Sequence, residues 1–180
     1  MAIEIERKFL LCSDVWRAEV IRREHYAQGY LANTDLSSIR VRVCDERAWL
    51  NIKQVVPGSQ RAEYEYPIAV VDAREMLENL CEGHRIEKSR HQVYCGDDLW
   101  EIDEFEGVNQ GLIVAEIELQ SARQTFERPR WLGREITDDL RYYNNMLAVK
   151  SRHMVGWVEF ESIGLLCPCF ADEFEGGKAF

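Results

Sequence analysis

The chain lacks any apolar run long enough to cross a bilayer, and its first residues, charged and strand-like, lack the apolar centre of a signal peptide. A cytoplasmic protein without a membrane partner is expected. Basic residues are outnumbered: 22 Lys and Arg against 32 Asp and Glu leave a net charge of −10. That balance excludes the basic footprint of a general nucleic-acid binder. An acidic chain that binds phosphates recruits metal cations instead. Paired CxxC units of the zinc type are missing too; Cys12, Cys44, Cys81 and Cys95 stand singly and read as reduced thiols. Cys167 and Cys169 form a CPC near the end with no histidine beside it. His25, His84, His91 and His153 show no ligand spacing, nothing repeats at a fixed period, and no stretch is low in complexity.

What is present is charge on every second residue. Glu4, Glu6 and Lys8 alternate in EIERK, Arg40 and Arg42 in SIRVR, Glu63 and Glu65 in RAEYEY, Lys88 and Arg90 in EKSR, Glu116 and Glu118 in AEIEL. Two-residue spacing is the pitch of one strand face, so the charges share a side and neighbours such as Ile5, Val41 and Ile117 share the other. A sheet with one oily face and one densely charged, sign-mixed face follows.

Strands are expected at about 2–11, 25–33, 37–44, 47–54, 60–69, 84–95, 98–106 and 111–120, with a PGS turn at residues 57–59 and a tight Gly96-Asp97-Asp98 connection. Helices are expected from Asp14 to about Arg23, from Asp72 to about Cys81 where Gly83 stops it, from 121 to 127, and from Thr137 towards Met154. The fold class is mainly β within α+β. Eight antiparallel strands can close into a barrel, which removes their edges and puts one face inside. An oily interior would make a carrier for apolar ligands; a charged interior would make a polar tunnel.

Sorting the charges by sign sharpens this. Glu4, Glu6, Glu116 and Glu118, with Glu101 and Asp103 of WEIDEF, are hard oxygen ligands suited to Mg²⁺ or Mn²⁺. Lys8, Arg40, Arg42, Lys53, Lys88 and Arg90 are donors for phosphate oxygens. Together they imply a metal-bound polyphosphate. Glu63 and Glu65, with Arg61, are supporting residues, one glutamate facing the tunnel and orienting Arg40 or Arg42 by an ion pair. Trp49, Trp100, Trp131 and Tyr142 read as core and helix-docking residues.

The ordered set resembles the CYTH superfamily, also called triphosphate tunnel metalloenzymes. It runs through Glu4-Ile5-Glu6-Arg7-Lys8, Gln28-Gly29-Tyr30-Leu31, Ser38-Ile39-Arg40-Val41-Arg42, Asn51-Ile52-Lys53, Glu63-Tyr64-Glu65, Arg85-Ile86-Glu87-Lys88-Ser89-Arg90, Glu101-Ile102-Asp103 and Ala115-Glu116-Ile117-Glu118. The resemblance implies a closed eight-stranded antiparallel β-barrel with the charged face inside, helices packed outside and a C-terminal helix. It also implies hydrolysis of inorganic tripolyphosphate, or of another triphosphate compound, with Mg²⁺ or Mn²⁺. Within it, one metal is expected at Glu4, Glu6, Glu116 and Glu118 and a second near Asp103 and Glu118, with Lys88 and Tyr30 as the proton-handling pair. Adenylyl cyclase, other triphosphatases and a non-catalytic polyphosphate sensor are the alternatives, and a homodimer is the expected assembly. Residues 1–154 form the tunnel domain. Similar small bacterial members carry several lysines where this chain has Leu140-Arg141-Tyr142-Tyr143-Asn144-Asn145-Met146, and the segment 155–180 has no recognised counterpart and no assigned role.

Overall fold

Which face of the sheet turns inward is decided by what covers the other one. In the computed structural model, which describes residues 2–56 and 59–149, the strands are β1 (Ala2–Leu11), β2 (Val20–Asn33), β3 (Ser37–Cys44), β4 (Arg47–Gln54), β5 (Gln60–Ile68), β6 (Glu82–Cys95), β7 (Asp98–Phe105), β8 (Ile113–Glu118) and β9 (Leu132–Glu135). Two α-helices accompany them, α1 (Val70–Asn79) and α2 (Asn144–Val149). The sheet order is β5-β4-β3-β2-β6-β7-β8-β1-β9, and β5 also pairs with β1, so eight antiparallel strands close on themselves. β1 is shared along its length: Ala2–Ile5 pair with β5, and farther on Phe9 and Leu11 pair with β9.

Two apolar patches on the outer wall and a third at one end of the barrel each have a cover. α1 lays Ala73, Met76 and Leu77 over Val41, Val43 and Ala48 of β3 and β4. A 3₁₀ turn at Val15–Glu19 and the segment before β9 bring Trp16, Phe126 and Trp131 onto Phe9, Val93, Trp100 and Ile117. The rings there meet edge to face, Phe9 5.7 Å from Trp100 and Trp131 5.4 Å from Trp100 between centroids. α2 brings Leu147 and Ala148 to Tyr30, Ile86, Phe105 and Val114. Burying each large apolar side chain is worth roughly 1.5–3 kcal/mol, so the oily face is held outward against these covers and the charged face closes on itself.

This last patch also shapes the interior. The inward row of β1 runs Glu4, Glu6, Lys8 and then Leu10; that of β8 runs Glu118, Glu116 and then Val114; that of β7 runs Glu101, Asp103 and then Phe105; and that of β6 runs Arg90, Lys88 and then Ile86. Charge gives way to hydrocarbon at the same end of each strand. The lumen therefore has an apolar floor backed by α2. No helix among the described residues is long and apolar enough to cross a membrane.

Several local expectations are corrected. The helix from Asp14 to Arg23 is replaced by a single 3₁₀ turn and an early start of β2, because Val20 pairs with Val93 of β6 while Asp14 contacts Arg17 at 3.4 Å instead of capping a helix. α1 begins at Val70, two residues before Asp72, and ends at Asn79; Gly83, with φ of 73°, lies inside β6. No helix forms over 121–127, where Phe126 packs between Phe9 and Trp100. β9 was not anticipated. The terminal helix begins at Asn144 and not at Thr137, whose hydroxyl accepts from the Lys8 backbone N–H at 3.1 Å. The Gly96-Asp97 hairpin is present, with Gly96 at φ 59°. Gly29 is required by contact, since a Cβ there would lie 2.5 Å from Cys81 Sγ. The PGS turn falls partly, and the CPC pair and the segment 155–180 entirely, outside the described residues.

Candidate functional site

The register brings every charged residue singled out above to the inner wall. Around the barrel, β7, β8 and β1 carry Glu101, Asp103, Glu116, Glu118, Glu4 and Glu6. Beyond them β6, β3 and β4 carry Lys88, Arg90, Arg40, Arg42 and Lys53, with Tyr26, Gln28 and Tyr30 of β2 set between β6 and β3. β5 closes the circle with Arg61, Glu63 and Glu65, and Lys8 projects from the acidic arc. Signs sorted along the sequence thus become two adjoining arcs of one wall around a cavity of about 1100 Å³. Tyr143, Asn144, Asn145 and Met146 line it at the α2 end, while Asp97, Asp98 and Gln124 line it at the hairpin end of β6.

Ion pairs stitch the arcs together. Lys53 Nζ lies 2.9 and 2.8 Å from the two Glu4 oxygens and 3.1 Å from Glu63. Arg61 Nε donates to Glu4 at 3.1 Å, and its guanidinium also meets Glu6. Lys8 contacts Glu6 at 3.1 Å and Glu116 more closely. Arg90 forks onto Asp103 with two 2.7 Å bonds and reaches Glu116 at 2.8 Å and Glu101. Burial opposes ionisation of Glu4, yet Lys53 and Arg61 outweigh it and bring its carboxyl down to about 2. Glu116 is likewise held well below the usual carboxylate range, burial being overcome by Lys8, Arg90 and Lys88.

Two features are left open by this pairing. The Glu118 carboxylate has no hydrogen bond or direct ion pair among the described residues, and burial together with the charges of Glu4, Glu101 and Glu63 raises it against the pull of Lys53. On the opposite arc, buried Nε atoms of Arg40 and Arg42 and the Nε2 amide of Gln28 have no acceptor among the described residues. Arg40 lies beside the Tyr30 hydroxyl and has a long contact, 3.6 Å, to Glu63. Buried donors without acceptors cost free energy, and anionic oxygens satisfy them.

Asp103 is completely buried behind the cavity, and its two oxygens are taken by Lys88 and Arg90, so it anchors both cations. Burial lowers the Lys88 ammonium to about 8, against the pull of Asp103. Burial also pushes the Tyr30 phenol up, which outweighs Arg40 and Lys8. Both Glu63 and Glu65 face the lumen, Glu65 pairing with Arg42 at 2.6 Å. Asn51 was missed: a fully buried amide that donates to Glu63 at 3.0 Å and Glu65 at 2.7 Å, fixing both beside the basic arc. Its parity with Lys53 on β4 was the available signal.

A lumen of this kind defines a class: closed antiparallel barrels built to take a charged ligand within the wall, which rules out the oily carrier. The chain belongs to the CYTH domain family, whose model matches residues 2–151. It is 43% identical over 147 residues to an inorganic triphosphatase of Acetivibrio thermocellus, covering 82% of this chain and 94% of that protein. It is 37% identical over 150 residues to an inorganic triphosphatase of Nitrosomonas europaea, covering 81% and 97%. A crystal structure of an inorganic triphosphatase superposes with a TM-score of 0.61 at 36% identity, over 83% of this chain and 97% of the other.

Proposed function

We propose that the chain is an inorganic triphosphatase, a phosphoanhydride hydrolase that uses water to split tripolyphosphate into pyrophosphate and phosphate. The observation that carries this is the pair of open features in one lumen: buried donors on Arg40, Arg42 and Gln28 without an acceptor among the described residues, facing a carboxylate arc in which Glu118 has no direct ion pair among them. The names of the relatives point to the same substrate. The donor set fits a divalent cation, because Glu4, Glu6, Glu116 and Glu118 offer only hard oxygens, the type preferred by Mg²⁺ and Mn²⁺. When bound, such an ion neutralises phosphate charge and makes a coordinated water more acidic.

The residues do the rest by exchanging partners. Phosphate oxygens draw Lys53, Arg61, Lys8 and Arg90 away from Glu4, Glu6 and Glu116, and the oxygens of those carboxylates are left open to hold a cation. Arg40 and Arg42 add donors already free to bind. Lys88, lying beside Arg90 and Asp103 on the lumen floor, is the residue placed to exchange a proton with the attacking water. Tyr30 holds an oxygen by donation. Lys88→Ala lowers kcat by about a hundredfold or more, the usual range for a general base, whereas Tyr30→Phe lowers it less than about tenfold. Steady-state kinetics on both variants check this; a Lys88→Ala enzyme with a raised KM and intact kcat leaves Lys88 as a binding residue only.

The activity itself is tested by incubating the protein with tripolyphosphate, ATP, thiamine triphosphate and pyrophosphate, with Mg²⁺, Mn²⁺ or chelator, and measuring phosphate and cyclic AMP. Metal-dependent phosphate release greatest for tripolyphosphate supports the reading. Cyclic AMP from ATP replaces it with a cyclase, and binding of tripolyphosphate without turnover replaces it with a sensor.

A further inference from the structure

At the end of the lumen away from α2, cations and aromatic rings alternate through space. Arg47 Cζ lies 5.4 Å from the centre of the Trp49 ring, and Arg42 Cζ lies 5.0 Å from the same ring. Arg42 is also 5.6 Å from the Tyr26 ring, whose centre is 5.7 Å from Arg90. Strand register builds this ladder: Arg42 of β3 stands opposite Trp49 of β4 and opposite Gln28 of β2, one inward position from Tyr26. Glu24 ties its outer members, accepting from the Tyr26 hydroxyl at 3.2 Å and from Arg47. Trp49 and Tyr26 are only half-buried, so neither is a core ring.

The ladder answers a problem in the basic arc. Arg42 is repelled by Arg40 and Arg90, and pairing it fully with carboxylates would hold it still while occupying the N–H groups needed for phosphate. A ring face attracts a guanidinium through its quadrupole and accepts none of its in-plane hydrogens. Arg42 shows the result: one Nη donates to Glu65 at 2.6 Å, and the buried Nε–H has no acceptor. We propose that Tyr26 and Trp49 are positioning residues for substrate binding, stacking Arg42 so that its open Nε–H faces the phosphate chain in advance. This rests on the proposed binding of triphosphate by the basic arc.

The experiment compares the wild-type chain with Trp49→Leu, Tyr26→Leu, Trp49→Phe, Tyr26→Phe and Arg42→Ala. Steady-state kinetics use inorganic tripolyphosphate with Mg²⁺, and the Arg42 Nε–H resonance is followed by NMR without ligand or metal. Each leucine variant raises KM by about tenfold, changes kcat less than about twofold, and moves the Arg42 resonance as the ring current is lost. The phenylalanine variants, which keep a π face, retain most of both properties. Leucine variants with wild-type KM, or phenylalanine variants as impaired as the leucines, overturn the proposal. Should a leucine variant fail to fold, methionine replaces it, matching volume without a ring. Arg42→Ala separates the two levels: a raised KM there with normal leucine variants sinks the ladder alone. An unchanged KM in Arg42→Ala, or no tripolyphosphate turnover by the wild type, sinks the binding role of the arc and the ladder with it.

Discussion

Asp103→Ala costs about 3–5 kcal/mol of folding stability and removes turnover, because it strips a buried ion cluster of its only completely buried acid. Its carboxylate accepts two 2.7 Å bonds from Arg90 and one from Lys88. Removing it leaves two cations in the wall, and Glu116 with the more exposed Glu101 replaces neither its burial nor its bond to Lys88. Urea unfolding in the absence of metal and substrate measures the loss, and Asp103→Asn, which keeps the shape and part of the hydrogen bonding, falls between. The same measurement judges the sequence-based role of Asp103 as a metal ligand. If Asp103→Ala unfolds at the wild-type midpoint and only needs more Mg²⁺, the residue is a ligand after all.

Glu118→Gln behaves in the opposite way: turnover falls by about a hundredfold or more while stability stays level or rises. Glu118 has no ion pair within contact distance among the described residues; it faces Glu4, Glu101 and Glu63, whose charges together with burial outweigh the pull of the more distant Lys53. Folding raises its carboxyl, so its contribution is favourable in acid and is lost as pH climbs through that raised value. At neutral pH the ionised group therefore works against the fold, and the neutral amide removes that penalty. Phosphate-release assays and thermal melting, run side by side near pH 7, check the pair of outcomes. A large loss of stability in Glu118→Gln would mean the carboxylate is held by structure and not reserved for a ligand. The contrast with Asp103, two acids on neighbouring strands with opposite demands, is a trade of stability for function within one wall.

Both acids were visible in the sequence as members of two-residue alternations, and alternation was enough to give eight strands, a charged face and its two signs. The direction in which that face turns came from the family resemblance, since alternation reads the same from either side. What was not visible depended on register. Asp103 and Glu101 look alike in WEIDEF, and only the pairing of Arg90 with Asp103 across β6 and β7 separates an anchor from a lumen-facing acid. Parity with Lys53 puts Asn51 and Trp49 on the inward side of β4, but only register sets them beside Glu63, Glu65 and Arg42. The helix read at 14–23 failed for a related reason: Asp14 is a fair capping residue, but pairing with β6 offers Val20 a full strand partner. β9 is four residues with a glycine in it, and it exists because β5 leaves the upper edge of β1 free.

The acids and bases of the two arcs nearly cancel, whereas the chain as a whole carries a net charge of −10. Most of that surplus lies outside the lumen, on the surface a ligand meets first. A free polyanion approaching from solvent is slowed by this field until it comes within a Debye length of the inner cations, about 8 Å at physiological salt. Added salt that screens the exterior accordingly raises kcat/KM for tripolyphosphate at low ionic strength, the reverse of ordinary electrostatic steering, and a fall with salt would place the governing charges at the basic rim. An acidic shell of this kind acts as a filter on the form of the ligand, admitting a polyphosphate whose charge a divalent cation has already reduced more readily than the bare anion.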